Sequence, residues 1–149
     1  MDLEEFQARL QRYIDQQGAD MVSQFDLVDL EPVAERDLSH AERTLGVILP
    51  ASYRRFMKAY GGGSIFRLEL LAVGSADARD DLVNVNLSGA FENFVAVAPV
   101  GTGDWWGFAS SNGECEIAVS LRDHEDGSIH FDASDFLSFV AKRGWGEEV

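Results

Sequence analysis

The chain predicts an α+β domain, with N-terminal helices and one C-terminal helix packed on a mostly antiparallel sheet of five to six strands. Three observations carry that prediction. Apolar residues recur at helical spacing up to Tyr60 and at alternate positions after Gly61-Gly62-Gly63, so the period drops from 3.6 to 2 at the glycines. The strand-like runs that follow are joined by short turns, which favour antiparallel neighbours. A last apolar stripe, Phe136, Leu137, Phe139 and Val140, returns to helical spacing before Gly144. Helices, then strands, then a helix place the helices on one sheet face.

In chain order, Asp2 caps a helix over residues 3–17, with Glu5 as the returning carboxylate of a capping box and Gly18 as the stop. Residues 19–32 lose the stripe and read as packed linker. Pro32 suits the first turn of a second helix, whose Leu38, Ala41 and Leu45 run to Gly46. Ser39 and Glu42 form a competing start signal. Leu49 is pushed extended by Pro50, and a helix follows over Ala51–Tyr60 with Tyr53, Phe56 and Met57 on one face. Residues 65–71 alternate as a strand. Asp77–Gly89 fits either a short helix or an irregular strand. Residues 94–100, 104–109, 116–121 and 128–131 read as further strands, and a helix over 134–143 closes the chain.

With 149 residues, 46% apolar and 11% aromatic, the chain is long enough for one domain with a substantial core. No apolar run approaches the ~20 residues that span a bilayer. The start, MDLEEFQARL, has no hydrophobic signal core, so a soluble cytoplasmic protein is expected. The single cysteine, Cys115, excludes an intramolecular disulfide and a cysteine-rich zinc site.

Net charge is −14. That field disfavours direct nucleic-acid binding and would speed association with a basic protein. Maintaining solubility is the plainer role for it. Residues 1–37 hold ten acids and three bases, residues 38–67 one and five, and residues 68–149 fifteen and four. A basic island sits between two acidic arms.

Convergent chemistry is scarce. Gly61–Gly63 follow a helix, whereas a phosphate-binding loop needs glycines ahead of one, so they read as a helix stop. Gly101-Thr102-Gly103-Asp104 reads as a hairpin turn. His124, Asp126 and His130, with Asp123 and Glu125 nearby, have loose spacing that suits a solvated turn better than a metal site. Cys115 stands between Glu114 and Glu116, which oppose thiolate formation. No catalytic set, metal site or cofactor is expected. Adjacent strand residues point to opposite faces, so Trp106, sharing its face with Phe108, is expected in the core. Trp105 shares a shallow face with Gly107 and Ala109, where a partner can pack; in the alternative, C-terminal segments cover both tryptophans.

The run Glu42, Leu45-Gly46, Leu49-Pro50, Tyr53, Phe56, Tyr60-Gly61-Gly62 resembles the signature of the SUKH superfamily, which includes yeast cell-wall-synthesis regulators of the Smi/Knr type and many bacterial immunity proteins. Gly103-Asp104, Trp105-Trp106-Gly107-Phe108, His124-Glu125 and Ser134–Phe139 follow in the same order. The resemblance implies one SUKH-like domain over 1–149, with an N-terminal helix and linker over 1–32 and a family-like core over 33–143. It also implies toxin neutralisation by direct binding, often of a nuclease. The expectation is a non-catalytic immunity-type protein that presents an acidic surface to a basic toxin domain, a nuclease among the candidates. Asp104, Trp105, Glu114, Glu116, Asp123, Glu125 and Asp126 are the partner-binding candidates. The alternatives are a regulatory or scaffold module for an endogenous partner and, third, a small hydrolase with an unidentified carboxylate site.

Overall fold

The computed structural model describes residues 1–75 and 78–148. Helix α1 (Leu3–Gln17) is capped by Asp2, whose carboxylate accepts the Glu5 N–H at 2.8 Å. The reciprocal half of the capping box is not made, because the Glu5 carboxylate accepts from Arg9 instead, at 2.9 and 3.1 Å. Residues 19–32 are more ordered than a linker. They hold α2 (Ala19–Gln24) and strand β1 (Val28–Glu31). The stripe is faint there because α2 buries only Val22 and leaves Met21 exposed, with Phe25 exposed beyond its end.

Helix α3 (Glu35–Leu45) starts later than Pro32 suggests. The Val33 N–H donates to the Met57 carbonyl at 2.9 Å, which keeps the chain extended through Ala34. Leu38 and Ala41 are buried, whereas Leu45 is only half-buried. Gly46 closes α3 in the left-handed region. The Glu42 carboxylate then turns back over the elbow, accepting the Leu49 N–H at 2.8 Å and Arg54 Nη1 at 2.7 Å. That contact sets the angle at which α4 (Ala51–Ala59) leaves, burying Tyr53, Phe56 and Met57.

Gly61 follows the end of α4, but Gly62 and Gly63 also open β2 (Gly62–Ile65), the middle strand between β1 and β3 (Leu68–Leu70). A Cβ at Gly62 would lie 2.6 Å from the Leu71 carbonyl oxygen, and one at Gly63 would overlap the Asp29 carbonyl. The glycines therefore stop a helix and admit two neighbouring backbones. The expected strand over 65–71 is a hairpin that folds back at Phe66 and Arg67. Phe66 takes φ 51° there, with its N–H bonded to the Leu27 carbonyl at 2.6 Å.

In the ambiguous stretch, Asp77 lies outside the described residues, Ala78–Asp80 form one 3-10 turn, and helix α5 (Leu82–Gly89) follows. Asp81 caps it, accepting from the Val83 N–H at 2.9 Å. The larger sheet follows: β4 (Phe94–Pro99), β5 (Trp105–Ser111), a short β6 (Glu114–Cys115), β7 (Val119–Arg122) and β8 (Ile129–Ala133). Its order is β4-β5-β7-β8 with β6 paired to β5, and every pairing is antiparallel. The strand expected over 116–121 thus starts only at Val119, as β7; the separate two-residue β6 precedes it, and there the Cys115 N–H donates to the Ile48 carbonyl at 3.1 Å. Helix α6 (Phe136–Trp145) closes the chain, capped by Asp135, which accepts the Ser138 N–H at 2.8 Å.

The fold is α+β, with antiparallel sheets of three and five strands. Between the large sheet and α4/α6 lies an aromatic core: Phe136 meets Tyr53 at 4.9 Å and Phe56 at 5.3 Å, and Phe6 of α1 meets Phe56 at 5.6 Å. Each such side chain contributes about 1.5–3 kcal/mol by leaving water. Among the described residues, no helix is long and apolar enough to cross a membrane.

Candidate partner-binding face

Strand β5 sorts its two tryptophans onto opposite faces of the large sheet, as alternation requires. Trp106 faces α6, 5.6 Å from the Phe139 ring, with the Arg143 guanidinium 5.1 Å from its own centroid. It is half-buried rather than fully enclosed. Trp105 faces away from α6, also half-buried, with its ring 6.0 Å from Phe91.

Register builds a row around Trp105. It pairs with Arg122, which pairs with Ile129, and Gly107, Ser120 and Phe131 form the next row of the same face. The Arg122 guanidinium lies 5.0 Å over the Phe91 ring, so cation and aromatic faces stack beside the indole. Ile129 is 40% exposed and Phe131 is 71% exposed. Between this row and α5 runs a groove of about 690 Å³, lined by Arg79, Asn84, Val85, Ser88, Gly89, Phe91 and Trp105.

An acidic rim borders the row. Asp104 immediately precedes Trp105, and the turn over 123–127 immediately follows Arg122. One Asp104 oxygen accepts the His124 backbone N–H at 2.9 Å and His124 Nδ1–H at 2.6 Å, while the other accepts the Thr102 hydroxyl at 3.1 Å. The His124 backbone bond, then its ring, hold the Asp104 carboxyl below its ordinary range. In turn the Asp104 hydrogen bond pushes the His124 imidazole up. Asp123 accepts the Glu125 N–H at 2.8 Å and Asp126 the Ser128 N–H at 2.9 Å, so both carboxylates shape the turn they sit in. Ser128 is also the main reason that the Asp126 carboxyl is lowered.

Five of the seven expected residues, Asp104, Trp105, Asp123, Glu125 and Asp126, therefore gather at one end of β5. Glu114 and Glu116 do not join them. Glu114 pairs with Ser111 at the other end of the seven-residue β5, about 20 Å away at ~3.3 Å per residue. Sequence reasoning missed Phe91, Arg122, Ile129 and Phe131. Only the alternation of Ile129 and Phe131 along their strand signalled any of them.

His130 does not join His124 and Asp126; its Nε2 lies 2.9 Å from the Ser128 hydroxyl. The grouping that does form among the described residues is Asp104, Asp123 and His124, with ligating atoms within 4.8 Å on water-facing loops. Cys115 is buried and its thiol is pushed up to about 12, first by that burial and then by Glu42 rather than by its flanking glutamates.

A search of curated proteins finds no match. Among protein-family models, SUKH_6, described as SMI1-KNR4 cell-wall, matches residues 35–140. The matched span begins with the first residue of α3 and ends inside α6, taking in the elbow, the glycines and both tryptophans. This chain belongs to the SMI1-KNR4 cell-wall family, within the SUKH superfamily.

Proposed function

We propose that this protein is a non-catalytic, cytoplasmic, immunity-type binding protein whose outer sheet face covers a basic toxin domain, with residues 1–149 acting as one SUKH-like domain. The observation that carries the reading is the Trp105–Arg122–Ile129 row. Aromatic and aliphatic side chains crossed by one arginine, with an acidic border, have the anatomy of a protein-binding surface, in which a half-buried aromatic anchors and the rim steers. Net charge of −14 favours a basic partner, and a nuclease built to hold phosphates is commonly one. Inhibition would follow by occlusion, with acidic side chains standing where phosphates would bind.

A non-catalytic role is supported by the one thiol, which is buried and held protonated. A second reading has one specific support: the matching family description refers to the cell wall, which suits a regulatory module for an endogenous partner.

Co-expression decides between them. The chain should rescue growth from a toxin encoded beside its gene, and Trp105→Ala should lose that rescue at equal protein level. Failure of the wild-type chain to rescue, together with retention of an endogenous binding partner, would favour the regulatory reading.

A further inference from the structure

We propose that β8 is a docking edge, onto which an extended, lysine- or arginine-rich segment of the partner adds as a further antiparallel strand. The proposal rests on the partner-binding reading and names how the partner engages that face.

The two edges of the large sheet are unlike. Along β4, the buried Asn86 side chain donates to the Ala96 carbonyl at 2.9 Å and accepts the Ala96 N–H at 2.8 Å. The neighbouring Val97 carbonyl takes the Leu71 N–H at 2.9 Å. That edge is occupied. On β8, β7 pairs with one side, and among the described residues no strand meets the other. Closure resumes only at Asp132, whose carbonyl accepts Lys142 Nζ at 2.7 Å, where the register with β7 also slips.

An open edge is a hazard that folded proteins usually blunt with lysine, proline or inward charge. Ile129, His130 and Phe131 carry no lysine, proline or carboxylate; the edge is limited only by the short length of β8 and its bulge at Asp132, and Phe131 is 71% exposed. Ile129 and Phe131 also extend the Trp105 face out to the edge, so an added strand would lay its alternate apolar side chains on a surface continuous with the indole. Charge selects the occupant. The turn that feeds β8 carries Asp123, Glu125 and Asp126. A cationic segment meets attraction there, whereas a second copy brings a further net charge of −14.

Amide hydrogen exchange on the full chain tests this, with the acetylated, amidated peptide (Lys-Val)4 as probe and (Glu-Val)4 as control. The lysine peptide should slow exchange of outward amides within 129–131 at least tenfold, and the glutamate peptide should not. Methylating the valine nitrogens of the probe removes strand donors and should abolish the protection, as should Phe131→Lys in the protein. Equal binding by the methylated probe would leave only electrostatic contact and overturn the proposal, as would protection confined to other residues. Protection of the same amides in concentrated chain without peptide would assign the edge to a second copy instead. The partner-binding reading stands or falls separately: it fails if Trp105→Ala keeps full rescue, whatever the peptides do.

Discussion

Asp104 and His124 stitch two turns together beside Trp105, and each shifts the other's proton equilibrium. His124 is raised above its ordinary 6.5, so its contribution to loop order is complete below that value and fades as pH climbs through the higher one. Asp104 is lowered from 3.8, so its contribution is complete above that value and fades as pH falls through the lower one. The turns should be best ordered between those limits. Asp104→Asn should return the His124 imidazole toward its ordinary value in an NMR titration; an unchanged midpoint would remove Asp104 as the cause. Cys115, buried with its thiol up at about 12, should react with a disulfide reagent at pH 8 only as fast as the protein unfolds. Prompt labelling of the native chain would contradict that.

At the scale of elements, Asn86 joins α5 to the edge of β4. Its side chain spans the Leu82 and Ala96 carbonyls and the Ala96 N–H, at 2.8–2.9 Å. Asn86→Ala would leave buried backbone groups unpaired, and a loss of about 3 kcal/mol is expected in denaturant unfolding. A loss below about 1 kcal/mol would mean that the edge is held by other contacts. Sequence pattern found α1, α4 and α6 because each combines an apolar stripe with a boundary residue nearby, Asp2 before α1 and Pro50 before α4; the end of α6 was placed too early, since Gly144 lies inside the helix and Gly146 closes it. It missed the β2–β3 hairpin because alternation runs from Phe66 through Leu70, across the turn itself, and the turn at Phe66 uses no glycine, asparagine or proline. The constraint that makes this turn is tertiary: Leu27 and Gly144 hold its two N–H groups. Gly62 and Gly63 looked like pure punctuation, since the approach of Leu71 and Asp29 to their α-carbons is invisible along the chain.

Across the whole molecule, the proposed binding face joins what alternation could and could not reveal. That Trp105 and Trp106 take opposite faces follows from adjacency alone. That Ile129 and Phe131 share a face with Trp105 depends on the β5-β7-β8 register, which no local pattern specifies. The β5–β6 pairing sets Glu114 opposite Ser111 at the far end of β5, and the Glu116 N–H bonds to the Ala109 carbonyl, away from Trp105. Segment counts placed the acids in two arms around a basic island, and those of the turns at 104 and 123–127 border the aromatic row. With a net charge of −14, association with a basic partner should slow steeply as salt rises from 0.05 to ~0.5 M, since the screening length shrinks over that range. The central claim is that Trp105 anchors the partner without holding up the fold. Its most direct test is the equilibrium affinity of wild-type and Trp105→Ala chains for a purified basic toxin domain that the wild-type chain neutralises, measured with the melting temperature of each. The account predicts binding weakened by about 30-fold or more, the loss of a central aromatic anchor, with little change in melting temperature; unchanged affinity, or loss of binding only through unfolding, would contradict it.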